Sequence, residues 1–319
     1  MYLFKYILKR LGLMLMTFLI IITICFVLVK LLPNVPADQF GKDAELIAKR
    51  RELLGYNKPI MVQYVLFWKY AFQGNFGISE QLYIGQEVWG VFVKKLPYTV
   101  SVNVYSILFS IPLGLGLGIF AALKKNKWED HVISTGVMIF VSVPSFIYAF
   151  LVQYIFYFKL GWFKATMDTS QGPFSWVGFT TMIPAILSLS FGSIAGFARF
   201  TRAELTEVLT SDFMLLARTK GLTRGQATVR HALRNAMVPI FPMILGEFLS
   251  IMGGSLIIEQ LFSIPGVGKL YISSIQSTPP DYNIFMLLNA FYIFIGLAAG
   301  IVIDISYGII DPRIRMGAR

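Results

Sequence analysis

The sequence has 319 residues, of which 56% are hydrophobic and only 14% are charged, whereas roughly 25% of residues are charged in soluble domains. Its mean hydropathy of +0.66 and its long apolar runs exclude an ordinary water-soluble fold and indicate a membrane-spanning protein. The net charge of +11 would suit nucleic acid, but much of the positive charge adjoins apolar runs, where it would face lipid headgroups and cytoplasm.

Six apolar runs are long enough to cross a bilayer core, which needs about 20 residues per helix. Because backbone polar groups must be satisfied in lipid and the runs are too long for strands, the sequence predicts an all-α polytopic protein with six transmembrane helices. The predicted spans are 11–29, 99–123, 132–158, 180–198, 236–258 and 282–303.

The first run could be a secretory signal peptide, since Lys5, Lys9 and Arg10 precede it. The run is too long, and no small-residue cleavage pattern follows it, so we expect a retained span. Cys25, the single cysteine, lies inside this run, which leaves no partner for an intrachain disulfide.

The basic residues of the short loops indicate the orientation. Lysine and arginine cluster after the second span, in the segment 199–234 and near residue 315, and all three regions fall on the N-terminal side. Both termini are therefore predicted to be cytoplasmic. The loop 33–98 is then external, and loops of this length are nearly exempt from the charge rule.

Two parts of the chain follow from this topology. Residues 1–98 would hold the first transmembrane helix and the long external loop, in which the amphipathic, aromatic stretch 61–72 is expected to lie on the outer membrane surface. Residues 99–319 would hold a five-helix core with a cytoplasmic loop at 199–235.

The cytoplasmic loop contains two predicted short helices with a glycine between them. Ser211 and Asp212 favour the start of the first helix, which ends at Gly221, and Thr223 caps a second helix over 224–235. The same periodicity also suits an amphipathic linker lying on anionic headgroups or, remotely, a DNA-binding helix-turn-helix.

Longer motifs distinguish these alternatives. The segments Leu-Ala-Arg-Thr-Lys-Gly-Leu at 216–222 and Arg-His-Ala-Leu-Arg-Asn-Ala-Met-Val-Pro at 230–239 resemble the EAA loop of binding-protein-dependent ABC importer permeases, in its peptide-permease form. Where the general motif has Glu-Ala-Ala, this sequence has Leu215-Leu216-Ala217 and keeps only the last alanine. No role is therefore carried over for the absent glutamate.

The resemblance extends over essentially the whole chain. The N-terminal span and long external loop resemble the B-type subunit of the oligopeptide, dipeptide and nickel permeases, most closely an oligopeptide permease. The further matching segments are 54–59, 74–77, 95–97, 253–254, 259–266 and 311–315.

A type I ABC importer permease fold in a bacterial cell membrane is what the resemblance implies. The segment 212–222 would dock as a coupling helix on a cytoplasmic ATPase, and Gly221 would permit the sharp turn because glycine adopts positive φ at no steric cost. Gly221→Asp is expected to abolish transport and to leave membrane insertion intact. The residues implied in coupling are Asp212, Leu216, Ala217, Lys220, Gly221, Leu222, Arg230 and Arg234.

The implied partners are a second, C-type permease subunit, two cytoplasmic ATPase subunits and an external substrate-binding protein. The chain lacks the Gly-x4-Gly-Lys-Ser/Thr phosphate loop, so we expect it to bind no cofactor and to depend on ATP hydrolysed by its partners. The segment most similar to this phosphate-loop motif, at 266–269, is interpreted as an external loop turn. His131 and His231 are the only histidines, and no cluster has metal-ligand spacing, so no metal site is expected.

Glu247 lies inside the fifth span, where an ionisable residue is costly and usually faces a cavity or a partner. It could attract the amino terminus of a transported peptide, or it could form a structural hydrogen bond to a neighbouring helix. Together with Gly253 and Gly254 it forms the predicted part of the translocation pathway.

Other intramembrane residues are expected to be structural. Gly114, Gly116 and Gly118 would let helices approach closely, and Glu259 lies near a span end, where a charge is inexpensive. Prolines that would kink helices lie within or near the spans at Pro144, Pro184 and Pro239.

The implied function is ATP-driven import of oligopeptides by alternating access. The same architecture could instead import dipeptides, glutathione or chelated nickel. An intramembrane enzyme is a remote alternative, because Glu247 has no accompanying nucleophile, base or metal ligands in the spans. A passive channel would not explain the two-helix cytoplasmic loop.

Overall fold

The computed structural model describes residues 2–32, 41–250 and 256–310, and in these ranges the regular elements are helical. One isolated antiparallel bridge pairs Ile78 with Glu87. Two π-helical segments, Tyr154–Lys159 and Thr228–Ala232, continue the helices that precede them. The α-helices are α1 Tyr2–Leu31, α2 Ala44–Leu53, α3 Ile60–Ala71, α4 Val88–Leu123, α5 Trp128–Ser142, α6 Ser145–Gln153, α7 Trp176–Leu209, α8 Asp212–Thr219, α9 Arg224–Ala227, α10 Leu233–Ser250, α11 Leu256–Leu261, α12 Val267–Gln276 and α13 Tyr282–Ile310.

Five helical stretches of the described residues are long and apolar enough to cross a membrane, and α5 with α6 makes a sixth if the pair is one broken span. The prediction of six spans agrees with this number. The five stretches are Lys5–Leu31, Val88–Leu123, Trp176–Leu209, Arg224–Ser250 and Tyr282–Ser306.

The third predicted span, 132–158, is not one continuous helix, because α5 and α6 meet at 101°. Pro144 occupies the N-cap position of α6, and the preceding Val143 is extended at φ −91° and ψ 127°. This is the conformation that a residue before proline prefers. The expected kink at Pro144 is thus a sharp break, whereas Pro184 and Pro239 lie inside continuous helices.

Two compact units partition the chain. One comprises Met1–Leu3, Ser101–Ile251 and Ala299–Arg319, and the other comprises Phe4–Val100 and Met252–Ala298. The predicted division into residues 1–98 and 99–319 was based on membrane topology and not on compactness. The two units do not test it, and it stays a prediction.

Glycines on α4 allow this helix to lie close against α7 in the first unit. A Cβ atom placed on Gly114 would lie 2.5 Å from the Cβ of Phe197, and one on Gly118 would lie 2.6 Å from the Cβ of Thr201. A Cβ on Gly116 would meet no atom within 4 Å. The close-packing prediction is therefore confirmed for Gly114 and Gly118, whereas Gly116 lies on another face of the helix and packs against no helix of the described chain.

In the second unit, α3 packs against α1 through aromatic side chains. Tyr64, Phe67 and Trp68 surround Ile22 and Phe26, and the Phe26 and Tyr64 rings meet edge to face at 5.4 Å. The opposite side of α3 is exposed. The exposed side is itself largely apolar, with Met61, Val65 and Phe72, so the amphipathic character of this stretch and its position on the membrane surface both stay predictions.

Glu259 is fully buried, so the expectation that its charge lies exposed at a span end is wrong. Thr99 donates a hydrogen bond to its Oε1 at 2.9 Å, and the backbone N–H of Lys269 donates to its Oε2 at 3.0 Å. Gly266 is the N-cap residue of α12, and a Cβ atom there would collide with the Glu259 carboxylate. Residues 266–269 therefore begin a helix that a buried carboxylate stabilises, and are not a loop turn.

Candidate functional site

The loop between α7 and α10 ends its first helix in a Schellman motif. The N–H of Leu222 donates to the carbonyl of Ala217, and the N–H of Gly221 donates to the carbonyl of Arg218 at 3.0 Å. Gly221 has φ +90°, a backbone conformation that an L-residue with a side chain rarely adopts. The predicted helix end and the glycine turn are both confirmed.

One face of α8 is packed into a small apolar cluster, which we call the loop core. Met214 and Ala217 are its members from α8, and Leu222 packs against it from the turn. The other members come from the ends of the flanking helices: Ala122, Leu205, Ala227, Ala232 and Ala236. The loop core therefore holds α8 against the ends of α4, α7 and α10.

The other face of α8 is apolar but exposed. Leu215 is 63% exposed and Leu216 is 55% exposed, and Phe213 is also exposed. A groove of about 440 Å³ runs beside the helix and is lined by Asp212 and Arg218, among others. An exposed apolar surface rimmed by charged groups is typical of a protein-binding site.

The second helix of the loop starts as predicted but does not end where it was predicted to end. Thr223 forms a capping box with Gln226, in which each side chain bonds the other residue's backbone N–H. The helix then continues through the π-helical segment Thr228–Ala232 into α10, so that Arg224–Ser250 is one stretch. The predicted end at Asn235 is wrong, because no glycine cap follows Asn235 and the helix continues through Pro239 and Pro242.

The residues implied in coupling fall into two groups. Ala217 is buried and Leu222 is half-buried, so both hold α8 in the loop core. The remaining six are exposed and available to a partner: Asp212, Leu216, Lys220, Gly221, Arg230 and Arg234. Their role in ATPase coupling stays a prediction.

An ion pair next to this loop was missed at the level of sequence. Asp130 at the start of α5 is 1% exposed, and Arg202 on α7 donates to both of its oxygens, with 2.7 Å from the terminal guanidinium nitrogen to Oδ2. The backbone N–H of Asn126 also donates to Oδ2, at 2.9 Å. The sequence signal that could have indicated this pair is an aspartate just after the lysines of the α4–α5 turn, with arginines on α7 as candidate partners.

Glu247 is half-buried on α10, and the hydroxyl of Ser193 on α7 donates a short hydrogen bond to its Oε1. This geometry favours the structural alternative, a hydrogen bond to a neighbouring helix, over attraction of a peptide amino terminus. Gly253 and Gly254, the other predicted pathway residues, lie outside the described residues.

Within 2–32, 41–250 and 256–310, no three His, Cys, Asp or Glu residues come together as a group that could hold a metal ion.

Family models match nearly all of the chain. Residues 114–316 match the binding-protein-dependent transport system inner membrane component, and residues 3–103 match the N-terminal membrane component of the same kind of transport system.

Similar proteins of known name cover the full length. The chain is 32% identical over 98% of its length to the dipeptide transport system permease protein DppB of Lactococcus lactis subsp. cremoris, of which the match covers 99%. It is 33% identical over 98% of its length to the glutathione transport system permease protein GsiC of Salmonella choleraesuis, also 99% covered. It is 32% identical over 98% of its length to the oligopeptide transport system permease protein OppB of Haemophilus influenzae, again 99% covered.

A solved structure shares the fold. A chain of the MetNI methionine ABC transporter, in inward-facing conformations, matches with a TM-score of 0.52 and 17% identity over 68% of this chain and 96% of that chain. The protein therefore belongs to the family of inner membrane components of binding-protein-dependent transport systems, as a multi-pass permease subunit of an ABC importer and not an enzyme.

Proposed function

We propose that this permease imports oligopeptides across a bacterial membrane by alternating access, powered by ATP that partner subunits hydrolyse. The observation that carries the proposal is the geometry of α8. Its exposed apolar face is presented outward, while its other face is anchored in the loop core. A partner that grips α8 can therefore move the ends of the adjoining helices.

The transmission of that movement follows from the backbone connections. α7 runs into α8 through only Thr210 and Ser211, and α8 is joined through the Gly221 turn to the continuous stretch Arg224–Ser250. Because the loop core packs these elements together, a displacement of α8 shifts two transmembrane stretches at the same time. This coupling is what alternating access driven by a cytoplasmic motor requires.

Peptide cargo is supported by the names of the relatives. They are permeases of dipeptide, glutathione and oligopeptide systems, and all three cargoes are peptides. The identities are 32–33%, so they do not rank one cargo above another. We propose oligopeptides as the cargo, with dipeptides, glutathione or chelated nickel as the alternatives.

The proposed assembly contains a second, C-type permease subunit, two cytoplasmic ATPase subunits and an external substrate-binding protein. Dependence on a binding protein is part of the family description. We propose that the exposed face of α8 is the ATPase contact, that this chain binds no cofactor itself, and that ATP is bound by the ATPase subunits.

The cargo is tested by uptake in cells that lack only this chain. Uptake of a labelled oligopeptide, a dipeptide, glutathione and nickel is compared between these cells and cells complemented with the gene. Selective loss of oligopeptide uptake is expected. Loss of uptake of only one of the other compounds would identify that compound as the cargo instead of oligopeptides. Unchanged uptake of all four would contradict the proposal.

The ATPase contact is tested with two double variants on the exposed face of α8. The double variant Leu215→Glu/Leu216→Glu places charges on the exposed face, and we expect it to lose both oligopeptide uptake and co-purification of the ATPase subunits. The control, Leu215→Met/Leu216→Met, keeps the apolar surface and should retain both. Co-purification that survives the glutamate variant would exclude this face as the contact.

A further inference from the structure

An apolar groove of about 170 Å³ lies between α4, α5 and α7. Leu117 lines it from α4, Ile133 and Phe140 from α5, and Phe191 and Ile194 from α7. All of its lining residues are apolar, and all belong to the predicted membrane spans. Since one water requires roughly 10–15 Å³ on this measure, the groove has room for several waters, but it offers them no side chain that forms hydrogen bonds.

Gly136 leaves the α5 side of the groove unfilled. A Cβ atom on Gly136 would meet no atom within 4 Å. The next residue, Val137, is buried and packs with Ala195 and Ala198 of α7, so α5 and α7 are in contact immediately beside the gap. Protein interiors rarely leave gaps larger than a water molecule, because the lining atoms then lose van der Waals contacts. An apolar ligand in the groove would restore those contacts.

The residues of α5 next to the groove are suited to contact with lipid. Val132, Met138 and Ile139 are apolar and exposed, and they belong to the same predicted span as the groove residues Ile133 and Phe140. The medium around such a span is the hydrocarbon core of the bilayer. An acyl chain is therefore the apolar ligand that can enter the groove without crossing water.

Basic residues lie beyond one end of the groove. Lys124 follows Leu117 by seven residues, and its backbone N–H still makes helical hydrogen bonds, so it continues the groove face of α4 about 10 Å further along the helix. Arg199 is exposed and lies one turn beyond Ala195 on α7. Trp128 at the start of α5 is 72% exposed, and exposed tryptophans are typical of the membrane–water interface. This basic end of the groove therefore lies at the level of lipid headgroups.

The basic end also contains two carboxylates, and both already have cationic partners. Glu129 lies 3.2 Å from Lys124, and Lys127 also acts on the same carboxylate. Asp130 accepts two hydrogen bonds from Arg202. Three basic side chains thus surround two acidic ones.

Two further cations add to the positive charge of the basic end. Lys125 in the α4–α5 turn and Arg199 on α7 are exposed, and no carboxylate oxygen of the described residues lies within 4.0 Å of either side-chain charge. Glu204 and Glu207, the other carboxylates of this part of α7, fall on the side of the helix opposite the groove by helical periodicity. Five basic side chains therefore accompany two acidic ones, and a basic surface of this kind attracts anionic headgroups.

We propose that the groove binds one acyl chain of an anionic phospholipid, and that the phosphate of this lipid contacts Lys125 and Arg199. The distance of about 10 Å between groove and basic end is less than half of the roughly 30 Å hydrocarbon core, so one chain can reach from one to the other. The lipid would lie beside the α4–α5 turn, which Asp130 and Arg202 join to α7 and which reaches the loop core through Ala122. The site does not depend on the identity of the cargo.

Photo-crosslinking tests the site directly. The full chain is reconstituted, alone and with its co-purified partner subunits, in phosphatidylcholine nanodiscs that contain a trace of phosphatidylglycerol with a diazirine on its acyl chain. Labelled peptides are identified by mass spectrometry, and a diazirine phosphatidylcholine is the comparison probe. We expect about tenfold more labelling of the groove segments of α4, α5 and α7 by the phosphatidylglycerol probe. Equal labelling by the two probes, or no label in these segments, would overturn the proposal.

Matched glycine variants assign the label to the groove. Gly136→Leu fills the gap and should remove the preferential labelling. Gly116→Leu adds the same side chain at a glycine of α4 that also has open space around it but does not line the groove, and it should retain the labelling. Equal labelling in the two variants would overturn the assignment to the groove.

The headgroup contact is tested at exposed residues, whose replacement leaves the packed core intact. Lys125→Gln/Arg199→Gln should lose most of the tenfold preference for the phosphatidylglycerol probe. The control, Lys42→Gln/Lys49→Gln, removes two exposed charges in the other unit and should keep the preference. A preference that survives in the first double variant would contradict the proposed phosphate contact.

A second permease subunit is the other candidate for covering the groove. Labelling that occurs in the isolated chain and disappears in the assembled transporter would identify the groove as a contact between subunits and overturn the lipid proposal. Uptake in cells lacking the chain is measured separately, so failure of the lipid site and failure of the import function are distinguishable.

Discussion

Arg202 and Asp130 join α7 to α5 through two hydrogen bonds between a guanidinium group and a buried carboxylate. Arg202 lies on the last turns of α7, just before the loop that contains α8, and its side chain is one-third exposed. The Asp130 carboxylate also accepts hydrogen bonds from Asn126 and Ser134. The pair therefore fixes the α4–α5 turn to the helix that carries α8.

Removing one partner of this pair should destabilise the protein. In Arg202→Gln the buried Asp130 carboxylate loses its cation, and we expect a cost of about 3 kcal/mol in the free energy of unfolding, measured by thermal unfolding in detergent. The double variant Asp130→Asn/Arg202→Gln should cost less than the sum of the two single variants.

A second ion pair provides the control for this experiment. Lys124 and Glu129 are 3.2 Å apart, and the lysine side chain is more exposed than that of Arg202. Lys124→Gln is expected to cost at most about 1 kcal/mol. Equal costs for the two pairs, or additive single variants, would contradict a structural role for Asp130 and Arg202.

Gly221 can be tested with three substitutions that separate backbone strain from added charge. A Cβ atom at this position meets open space, so the positive φ is the obstacle. Gly221→Val should cost about 1–2 kcal/mol in the free energy of unfolding and lose most uptake. Asparagine tolerates a positive φ, so Gly221→Asn should retain most uptake. Gly221→Asp has nearly the shape of Asn but adds a charge at the proposed ATPase contact, and it should abolish uptake.

The control for the Gly221 series is Gly225→Ala. Gly225 lies in α9 without a positive φ, and its Cβ would also meet open space, so uptake should be unchanged. All variants should reach the membrane at normal levels. Similar uptake in the valine and asparagine variants would show that the turn does not require a glycine.

The glycines of α4 should differ from one another in their tolerance to substitution. Gly114→Ala and Gly118→Ala place a methyl group against Phe197 and Thr201 of α7, and overpacking of this kind typically costs about 1–3 kcal/mol. Gly116→Ala should be neutral or slightly stabilising, because alanine favours helix and no atom lies within 4 Å. Thermal unfolding of the three variants checks this order, and a Gly116→Ala variant as unstable as the others would contradict the observed helix contact.

Glu247 should be replaceable by glutamine. Glutamine keeps a carbonyl oxygen that accepts the hydrogen bond of Ser193, so uptake in Glu247→Gln should stay close to normal. Glu247→Leu leaves the serine hydroxyl without its acceptor and should lower thermal stability by about 1–3 kcal/mol. The charge hypothesis would instead be supported if Glu247→Gln reduced uptake of free peptides but not of N-acetylated ones.

Local features of the fold were predictable from sequence because neighbouring residues determine them. The apolar runs identify the membrane helices, and the Gly221 turn and the Thr223 cap depend on interactions within a few residues. The break at Pro144 was expected as a kink, since proline restricts its predecessor wherever it occurs. The size of that break, 101°, depends on how α5 and α6 pack and was not predictable.

Distant contacts could not be read in this way. Asp130 and Arg202 lie 72 positions apart, and Thr99 and Glu259 lie 160 apart. Charges at such separations give no pattern along the chain, which is why Glu259 was expected to be exposed. The continuation of the helix that starts at Arg224 into α10 was missed for a different reason, since basic residues at a helix end and inside a helix look alike in sequence.

By itself, the sequence determined that this protein has long membrane-spanning helices and a loop that turns at a glycine, because bilayer thickness and helix-end chemistry act over one to twenty residues. Tertiary structure alone decided which face of α8 is buried, which glycines of α4 touch α7, and that Glu259 is buried against Thr99. These outcomes depend on which helices pack together, and packing is a property of surfaces that the chain brings into contact only when it folds.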